Sequence, residues 1–237
     1  MQALDLTLAN LAENLALDEA LLVQAEAGGG EVLRFWEWQD TAVVLGSGCR
    51  LAEDVHEAAC RADGVPILRR ASGGGTVLQA AGCLSYSLVL SYERSPALQG
   101  IRPSYAYILE RVGEALNDLL PGIEHAGISD LAAGGQKFSG NAQQRKRTHL
   151  LHHGTLLYDF DVEVIGRYLR LPPRQPEYRQ RRDHGEFLMN LPATAAELKR
   201  RLRDAWQADA ALTAWPQEGV RQLVADKYTQ AAWVRRR

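Results

Sequence analysis

The sequence predicts an α+β fold. Segments with strand character are grouped along the chain instead of alternating regularly with helices, which argues against a doubly wound parallel sheet. The length of 237 residues suits one large domain, or one domain with a small appendage. Hydrophobic residues at 46% and charged residues at 24% are ordinary for a globular protein, so the chain can form a core without disulfides or structural metals.

The first half of the chain is predicted to begin with a helix that is followed mainly by strands. Leu17, Ala20 and Leu21 share one face of a helix from Glu13 to Ala27, and the glycine triplet at 28–30 ends it. β-branched residues, aromatic residues and short apolar runs then predict strands. In order, the predicted elements are strands at 32–38 and 41–45, a short helix at 53–62, and strands at 65–70, 76–78 and 83–90.

The second half is predicted to begin with an amphipathic helix. Ile108, Leu109 and Val112 lie at helical spacing between Ser104 and Leu119, and Pro121-Gly122 ends the pattern. The elements predicted next are short strands around Asp130, around Lys137 and at 148–158, and helices at 161–169, at 198–205 behind a capping-box spacing at 194–197, and at 217–228.

Charge and cysteine content narrow the class of protein. The 27 basic and 29 acidic residues give a net charge of 27 − 29 = −2, which does not suggest a nucleic-acid binder. Cys49, Cys60 and Cys83 are odd in number and lack CxxC spacing, so they favour reduced thiols and a cytoplasmic protein. The N-terminal sequence lacks a signal-peptide pattern, and no apolar run approaches the roughly 20 residues of a membrane span, so we expect no membrane association.

Residues 69–76, Arg-Arg-Ala-Ser-Gly-Gly-Gly-Thr, form the first segment with chemical character. Consecutive glycines let the backbone approach a ligand closely, and their N–H groups can face an anion. Arg69 and Arg70 would add charge-assisted bonds to a phosphate or a carboxylate. A flexible hairpin loop with solvated arginines is the competing interpretation, and the segment alone leaves both open. It is neither a P-loop nor a dinucleotide-binding glycine turn.

A lysine and a pair of histidines mark two further segments. Lys137 lies among glycines and small residues at 134–142, where its ammonium could bind a phosphate or an acyl oxygen, although most lysines in such loops are solvated. His152 and His153 have no partner at metal-ligand spacing, so a hydrogen-bonded histidine at a strand start is favoured for His152. No GxSxG turn or Ser-His-Asp assembly is evident.

The order of these segments resembles the lipoate–protein ligase A family. The motifs are Arg-Arg-Ala-Ser-Gly-Gly-Gly-Thr-Val at 69–77, Lys-Phe-Ser-Gly-Asn-Ala-Gln at 137–143 and His-His-Gly-Thr-Leu-Leu at 152–157. Residues 13–19 are similar to the family's first helix, and residues 129–131 to its Asn-Asp-Leu element, with Ser129 in place of Asn. The resemblance covers about residues 5–192.

The resemblance implies a fold, an activity and a set of substrates. The implied fold is a mixed, mostly antiparallel sheet flanked by helices, as in biotin and lipoate ligases. Such ligases activate lipoate with ATP to lipoyl-AMP, release pyrophosphate, and pass the acyl group to a lysine of a lipoyl domain. ATP and magnesium are therefore the expected cofactors, lipoate or octanoate the expected small-molecule substrate, and a lipoyl-domain acceptor protein the expected partner.

The resemblance also implies roles for residues. Lys137 is implied to be catalytic, because a preorganised cation would stabilise the negative charge on the acyl carbonyl and the α-phosphate. The implied nucleotide-binding residues are Arg70, Gly75, Thr76, Val77, Leu78, Lys137, Ser139, Gly140 and Ala142. The implied lipoate-binding residues are Arg70, Ser72, Gly73, Gly74, Gly75, Lys137, His153, Gly154 and Thr155. Asp130 is implied to bind magnesium or to orient the lysine; the expected lining of an acyl tunnel is Trp36, Leu45, Val77 and Leu156.

The domain organisation is predicted from the same resemblance. Residues 1–192 are expected to form the catalytic domain, and residues 193–237 a helical extension packed on it. Larger family members carry a full-size accessory domain, which this chain lacks the length for, so we expect a separate accessory-domain protein or activity without one. Basic clusters lie at 145–147, 179–182 and 235–237; solvated faces are favoured over steering of an acidic partner, and the first is the best candidate for ligand contact.

Three other functions stay open. An ATP-independent octanoyl or lipoyl transferase would use a cysteine nucleophile, yet no cysteine lies at 121–130, where one subgroup carries it. Cys49 is the one thiol that would support that function. A biotin ligase is disfavoured because residues 46–50 match its biotin-binding loop poorly. A non-catalytic lipoyl-adenylate or lipoyl-domain binding protein is disfavoured by the intact Arg70 and Lys137.

Overall fold

Strands and helices alternate irregularly along residues 1–172 and 175–236, which the computed structural model describes. The strands are β1 (Gln2–Asp5), β2 (Val32–Glu37), β3 (Ala42–Leu45), β4 (Ile67–Arg69), β5 (Val77–Gln79), β6 (Cys83–Ser91), β7 (Ile123–Ala126), β8 (Asp130–Ala133), β9 (Gln136–Arg145), β10 (His149–Leu157) and β11 (Ala210–Ala211). The α-helices are α1 (Leu11–Glu26), α2 (Leu51–Asp54), α3 (Glu57–Ala62), α4 (Ile101–Leu116), α5 (Ile165–Tyr168), α6 (His184–Phe187), α7 (Ala195–Trp206), α8 (Gln217–Leu223) and α9 (Ala231–Val234).

The strands form two sheets. The larger has eight strands in the order β11-β1-β2-β6-β10-β9-β8-β7, and the smaller has three in the order β4-β3-β5. The β1–β2, β1–β11 and β3–β4 pairs are parallel, and the remaining pairs are antiparallel. The predicted α+β fold with a mixed, mostly antiparallel sheet is therefore confirmed.

Helices cover both faces of the larger sheet. Successive residues of a strand point to opposite faces, so a strand covered on both sides is buried along its length, as β6 is from Cys83 to Leu90. Leu88 and Leu150 pack with residues of α4 and α7 on one face, whereas Val89 and Leu151 pack with α1 on the other. Within the described ranges, no helix has both the length and the apolar character needed to cross a bilayer.

Three short strands, β1, β7 and β11, lie outside the predicted elements. Gln2 of β1 is paired in register with Val32 of β2 and with Ala210 of β11. These partners are distant in sequence, and short strands owe their conformation to such partners more than to local propensity. Local patterning therefore does not reveal them.

The predicted single helix at 53–62 is wrong. Between α2 and α3, Val55 forms an antiparallel bridge with Leu169, and the His56 amide donates to the Tyr168 carbonyl at 2.8 Å. Because these tertiary hydrogen bonds hold residues 55 and 56 extended, the helix is divided into two short ones.

The start of α7 agrees with the sequence, whereas other helix ends differ from it. The Thr194 hydroxyl accepts a hydrogen bond from the Glu197 amide at 3.2 Å, as the capping-box spacing predicts for α7. α4 starts at Ile101, before the predicted start, with Pro103 in the first turn where an amide needs no partner. The predicted helix at 217–228 consists of α8 and a π-helical turn.

The elements after residue 192 pack against the rest of the chain. Leu198, Leu202 and Trp206 of α7 belong to the core shared with α4, and β11 pairs with β1. Val220 of α8 and Tyr228 belong to the core on the α1 face. The proposed boundary at residue 192 between a catalytic domain and an extension stays a prediction.

Candidate active site

A cleft of about 990 Å³ is lined by residues of both sheets. Most site residues implied by the sequence line it together: Arg70, Gly74, Gly75, Thr76, Val77, Leu78, Asp130, Lys137, Ser139, Gly140, Ala142, His153, Gly154 and Thr155. Among the described residues, Ser72 and Gly73 belong to the same glycine-rich turn but lie outside this lining. Segments separated by tens of residues thus meet in one place.

Lys137 stands near the start of β9 with its ammonium held in place. Its Nζ lies 2.8 Å from Oδ1 of Asp130, and its side chain is only 25% exposed. Gly140 provides the space, because a Cβ at that position would lie 2.8 Å from Nζ. Gly134 and Gly135, with φ of 55° and 76°, form the two-residue turn that joins β8 to β9. The lysine is therefore fixed in the cleft and is not a freely solvated loop residue.

Asp130 uses both carboxylate oxygens within the protein. Oδ1 pairs with Lys137, and Oδ2 accepts a hydrogen bond from the Tyr178 hydroxyl at 2.7 Å. This geometry matches the lysine-orienting role, one of the two expected for Asp130. In residues 1–172 and 175–236, no three His, Cys, Asp or Glu side chains cluster as metal ligands. The magnesium-binding role expected of Asp130 stays a prediction.

Arg70 organises the glycine-rich turn through backbone carbonyls. Its Nη2 donates to the Gly73 carbonyl at 2.7 Å and to the Gly75 carbonyl at 2.8 Å. Gly74 has a φ of 79° and lies so close to Gly46 that a Cβ on Gly46 would come within 2.1 Å of the Gly74 oxygen. Burial lowers the pKa of Arg70 to about 10, so its guanidinium stays charged at neutral pH. These contacts give the turn a defined conformation, in which exposed glycines face the cleft.

A buried hydrogen-bonded chain links α1 to this turn. Arg34 Nη1 lies 2.5 Å from Asp18 Oδ1, and Asp18 Oδ2 lies 2.9 Å from His153 Nδ1. His153 Nε2 lies 2.6 Å from the Ser72 hydroxyl. Ser72, His153 and Asp18 therefore form a hydrogen-bonded chain that is not evident from the sequence. Because Ser72 is 1% exposed and also accepts from Arg70 Nε at 2.9 Å, it supports the turn and is not placed as a nucleophile.

Asn141, which the sequence analysis did not single out, fixes the strands beside Lys137. Its Oδ1 accepts from the Tyr86 hydroxyl at 2.5 Å, and its Nδ2 donates to the Ser129 carbonyl at 2.9 Å. Gly154, its register partner on β10, is required by packing, because a Cβ there would lie 1.8 Å from Asn141 Oδ1. Asn141 and Gly154 both lie in motifs that the sequence analysis quotes. Their contact becomes visible only when β9 is paired with β10.

His152 has the hydrogen-bonded structural role that the sequence favours, but it lies inside β10 and not at the start of the strand. It is completely buried within β10, with Nδ1 3.2 Å from Gln143 Nε2 and Nε2 3.4 Å from the Tyr86 hydroxyl. Burial lowers its pKa to about 3 from an ordinary value of 6.5. The neighbouring His153 adds to this shift, since a second imidazolium beside it would be repelled.

We expect mild acid to destabilise the protein through His152. Its folded pKa lies below its unfolded value, so the unfolded state binds the extra proton, and stability falls as pH drops from about 6.5 towards 3. The expected slope is about 1.4 kcal/mol per pH unit for one such group. Denaturant unfolding at pH 7.5, 6.0 and 5.0 measures it, and His152→Gln should flatten the dependence. An unchanged slope in that variant would contradict the assignment.

The segment at 175–189 covers one side of Lys137. The Met189 amide donates to the Lys137 carbonyl at 3.0 Å. Arg179 lines the cleft, is 5% exposed and stacks over Phe187 with 4.6 Å between its Cζ and the ring centroid. The expectation of a solvated face for the cluster at 179–182 is therefore wrong for Arg179.

The basic cluster at 145–147 does not supply a ligand contact through its first arginine. Arg145 Nη2 donates to the carbonyls of Leu98 and Gln99 at 2.5 and 3.0 Å. Its guanidinium also stacks on Tyr92 at 4.9 Å. Arg145 thus fastens the segment before α4, and the expectation that this cluster is the best candidate for ligand contact is wrong for it.

Apolar side chains line part of the cleft. Trp36 and Val77, both expected in an acyl tunnel, are among them, together with Val44. Leu45 and Leu156 are instead fully buried members of hydrophobic clusters. Their expected place in the tunnel is wrong, because alternation along β3 and β10 turns their side chains into the core.

Cys49 is the cysteine that reaches the cleft. Its Sγ lies 3.4 Å from the Gly74 carbonyl oxygen. Burial raises the pKa of this thiol above its ordinary value, so it is protonated at neutral pH. Cys60 and Cys83 are buried, and burial raises the pKa of Cys83 to about 12. The described residues therefore contain no activated thiolate.

Sequence comparison identifies relatives over most of the chain. Residues 10–207 match the family model described as the lipoyl protein ligase A/B catalytic domain. An octanoyltransferase LipM of Carboxydothermus hydrogenoformans is 33% identical over 194 residues, which are 72% of this chain and 69% of that protein. A Mycoplasma pneumoniae protein named "Probable lipoate-protein ligase A" is 31% identical over 159 residues, which are 67% of this chain and 45% of that protein.

Solved structures share the fold. A bi-partite lipoate protein ligase of Thermoplasma acidophilum superposes with a TM-score of 0.84 at 22% identity, covering 99% of this chain and 95% of that one. A lipoate-protein ligase A bound with ATP superposes with a TM-score of 0.80 at 24% identity, covering 99% of each chain. Given the family match over residues 10–207, the chain belongs to the family of lipoate–protein ligases and lipoyl (octanoyl) transferases.

Proposed function

We propose that this protein is a lipoate–protein ligase that activates lipoate with ATP and transfers the lipoyl group to a lysine of a lipoyl-domain protein. The observation that carries the proposal is the Lys137 ammonium, fixed 2.8 Å from Asp130 in the cleft that also contains the Arg70-held glycine turn. This arrangement offers one fixed cation and the exposed glycine backbone at Gly74 and Gly75 to two anionic substrates.

In the first step, a carboxylate oxygen of lipoate attacks the α-phosphorus of ATP, and pyrophosphate leaves. Negative charge develops on the phosphoryl oxygens, and we assign its stabilisation to Lys137 and to the turn at 73–76. Magnesium would enter with ATP as the counter-ion of its phosphates, since Mg²⁺ prefers substrate phosphates to protein cages. The cation at Lys137 needs no reorganisation during the step, because Asp130 already holds it.

In the second step, the neutral amine of the acceptor lysine attacks the acyl carbon of lipoyl-AMP. The carbonyl oxygen becomes an oxyanion, AMP leaves as the acyl C–O bond breaks, and the nitrogen passes one proton to water as the amide forms. We assign the oxyanion to the same Lys137 ammonium. One cation thus serves both steps, since both build charge on oxygens of the same mixed anhydride.

The placement of the two substrates follows the chemistry of the cleft. We place the nucleotide against residues 75–78 and 139–142 and the acyl chain against Trp36 and Val77. Burying each methylene of that chain contributes roughly 0.8 kcal/mol. Structural neighbours with bound ATP and with bound lipoic acid support the choice of these two substrates.

The proposed protein partners rest on the neighbours as well. The Thermoplasma acidophilum ligase was solved in a study of that ligase with its E2 lipoyl domain, which supports a lipoyl-domain acceptor here. That ligase is bi-partite, which supports a separate accessory-domain protein as a second partner. Cytoplasmic localisation is proposed on the three free cysteines, which suit a reducing compartment.

An ATP-independent octanoyl transferase is the second candidate, because the relatives named octanoyltransferase LipM cover about 70% of this chain. It requires a thiolate nucleophile. Cys49 faces the cleft but is held as a thiol by burial, so we favour the ligase.

Replacing Cys49 by alanine is expected to leave lipoyl transfer within about twofold of wild type, because a neutral, half-buried thiol is inert. Initial rates of acceptor modification measure this. Complete loss of transfer in Cys49→Ala, with an unchanged unfolding midpoint, would favour the transferase instead.

The proposed function is tested by incubating the protein with ATP, magnesium, lipoate and a lipoyl domain, and following the acceptor by intact-mass spectrometry. A gain of one lipoyl group that requires both ATP and lipoate is expected. In a parallel reaction, an octanoyl-loaded carrier protein replaces ATP and lipoate. Modification only in that second reaction would overturn the ligase assignment.

A further inference from the structure

Residues 227–236, here named the C-terminal strap, lie against the segment that leads into the glycine-rich turn. The Trp233 indole donates from Nε1 to the Arg69 carbonyl at 2.8 Å. In return, Arg69 Nε donates to the Val234 carbonyl at 3.0 Å. This reciprocal pair joins residues more than 160 positions apart in sequence. Arg236 adds a hydrogen bond to the Ser47 carbonyl.

The strap is anchored at its other end to α1. Lys227 Nζ lies 2.8 Å from both carboxylate oxygens of Glu19, and the Tyr228 hydroxyl donates to Glu19 Oε2 at 2.7 Å. The ring of Trp233 contacts two cations, with its centroid 4.4 Å from Lys227 Nζ and 4.0 Å from Arg236 Cζ. Both kinds of contact restrict the indole to one orientation.

Arg69 connects the C-terminal strap to a loop beside the cleft. Its side chain is completely buried, and Nη1 donates to the carbonyls of Gly46 and Cys49 at 2.8 Å each. The loop at 46–49 in turn touches the glycine turn. The Ser47 amide donates to the Ser72 carbonyl at 2.8 Å, and Gly46 packs directly on Gly74. Two residues, Arg69 and Gly46, therefore connect Trp233 to the exposed Gly74.

We infer that the C-terminal strap positions the glycine-rich turn for substrate binding, with Trp233 and Arg69 as its positioning residues. The inference rests on the proposed function for the identity of the substrates, a carboxylate and a nucleotide phosphate. It gives a role to Arg235 and Arg236 of the basic cluster at 235–237, which the sequence presents as a solvated face; the last residue of that cluster lies outside the described part of the chain. Arg235 pairs with Glu57 at 3.2 Å, and Arg236 stacks on Trp233 and binds the loop at 46–49.

The test compares Trp233→Ala and Trp233→Phe in the full chain with Arg221→Ala, an exposed substitution on the neighbouring α8. Hydrogen exchange is followed for peptides covering 46–50 and 70–76, with a peptide covering β6 as the internal control. We expect Trp233→Ala to accelerate exchange about tenfold in the first two peptides only, the size expected for losing one hydrogen bond and two cation–π contacts. Trp233→Phe keeps the stacked ring and should give a smaller change.

Steady-state kinetics of acyl-adenylate formation supply the second readout. Trp233→Ala should raise the KM for lipoate about tenfold while kcat stays within about threefold, because a displaced turn weakens binding more than the Lys137-assisted step. Arg221→Ala should match wild type in both measurements. Unchanged exchange at 46–50 and 70–76 would overturn the inference, as would faster exchange with unchanged KM. If wild type forms no acyl-adenylate, the proposed function fails, and the exchange comparison alone decides whether the strap holds the turn.

Discussion

Replacing Lys137 by alanine is expected to lower lipoyl transfer by about 10²- to 10³-fold, the usual cost of removing one preorganised charge donor. The ammonium is the cation that Asp130 holds in the cleft, and Gly140 leaves space for it. Without it, the oxygens that gain negative charge in both proposed steps would face the carboxylate of Asp130. We expect kcat to fall much more than KM rises, because the contact strengthens as charge develops.

Lys146→Ala is the matched control for that substitution. Lys146 is exposed on the turn between β9 and β10, so its removal takes away a positive charge from the same hairpin without touching the cleft. Initial rates of acceptor modification, at saturating ATP and lipoate, compare the two variants with wild type. Near-wild-type rates in Lys137→Ala would refute the assigned mechanism, provided that the unfolding midpoint shows a folded protein.

Replacing Arg34 by alanine is expected to lower the free energy of unfolding by about 3–5 kcal/mol, the range for breaking a buried ion pair from one side. Arg34 is completely buried on β2, and its partner Asp18 is 2% exposed. Burial alone would raise the pKa of Asp18, but Arg34 and His153 outweigh burial and hold that pKa below its ordinary value. Without the guanidinium, a carboxylate and two carbonyl groups lose their main hydrogen-bond donor.

Two further variants separate this effect from a general loss of arginine. Arg200→Ala removes an exposed ion pair with Asp204 and should change stability by less than about 0.5 kcal/mol. The double replacement Arg34→Met with Asp18→Leu should recover much of the loss, because apolar residues of similar volume tolerate a buried site. Denaturant unfolding at neutral pH measures all three variants. A loss below about 1 kcal/mol in Arg34→Ala would contradict the role given to the pair.

The sequence predicts the parts of the site that depend on local chemistry. The triple glycine after Arg70 and the glycines around Lys137 indicate close backbone approach, and the structure places both segments in one cleft. The need for these glycines is visible in space: a Cβ at Gly46 would meet Gly74, and one at Gly154 would meet Asn141. Because only glycine lacks a Cβ, its presence at these positions indicates the close contacts even in a single sequence.

Contacts between distant segments are the part that sequence reasoning misses. Asp18, His153 and Ser72 form a hydrogen-bonded chain although no spacing relates them. Arg145 and Arg179 lie in similar basic clusters, yet one fastens backbone carbonyls and the other lines the cleft. The break at Val55 depends on a bridge to Leu169, which exists only after the chain has folded. The periodicity of hydrophobic residues predicts which face of a single helix or strand is buried. The features above depend instead on which helices and strands contact each other in the fold.

The most direct test of the account is lipoate-dependent exchange of labelled pyrophosphate into ATP, measured without any acceptor protein. A ligase that forms a lipoyl-adenylate in this cleft must catalyse the exchange, since the first step runs backwards when pyrophosphate is supplied. We expect exchange with wild type and with Cys49→Ala, and its loss with Lys137→Ala. If a folded wild-type protein shows no exchange, yet moves an octanoyl group between carrier proteins without ATP, the adenylating role of Lys137 is contradicted.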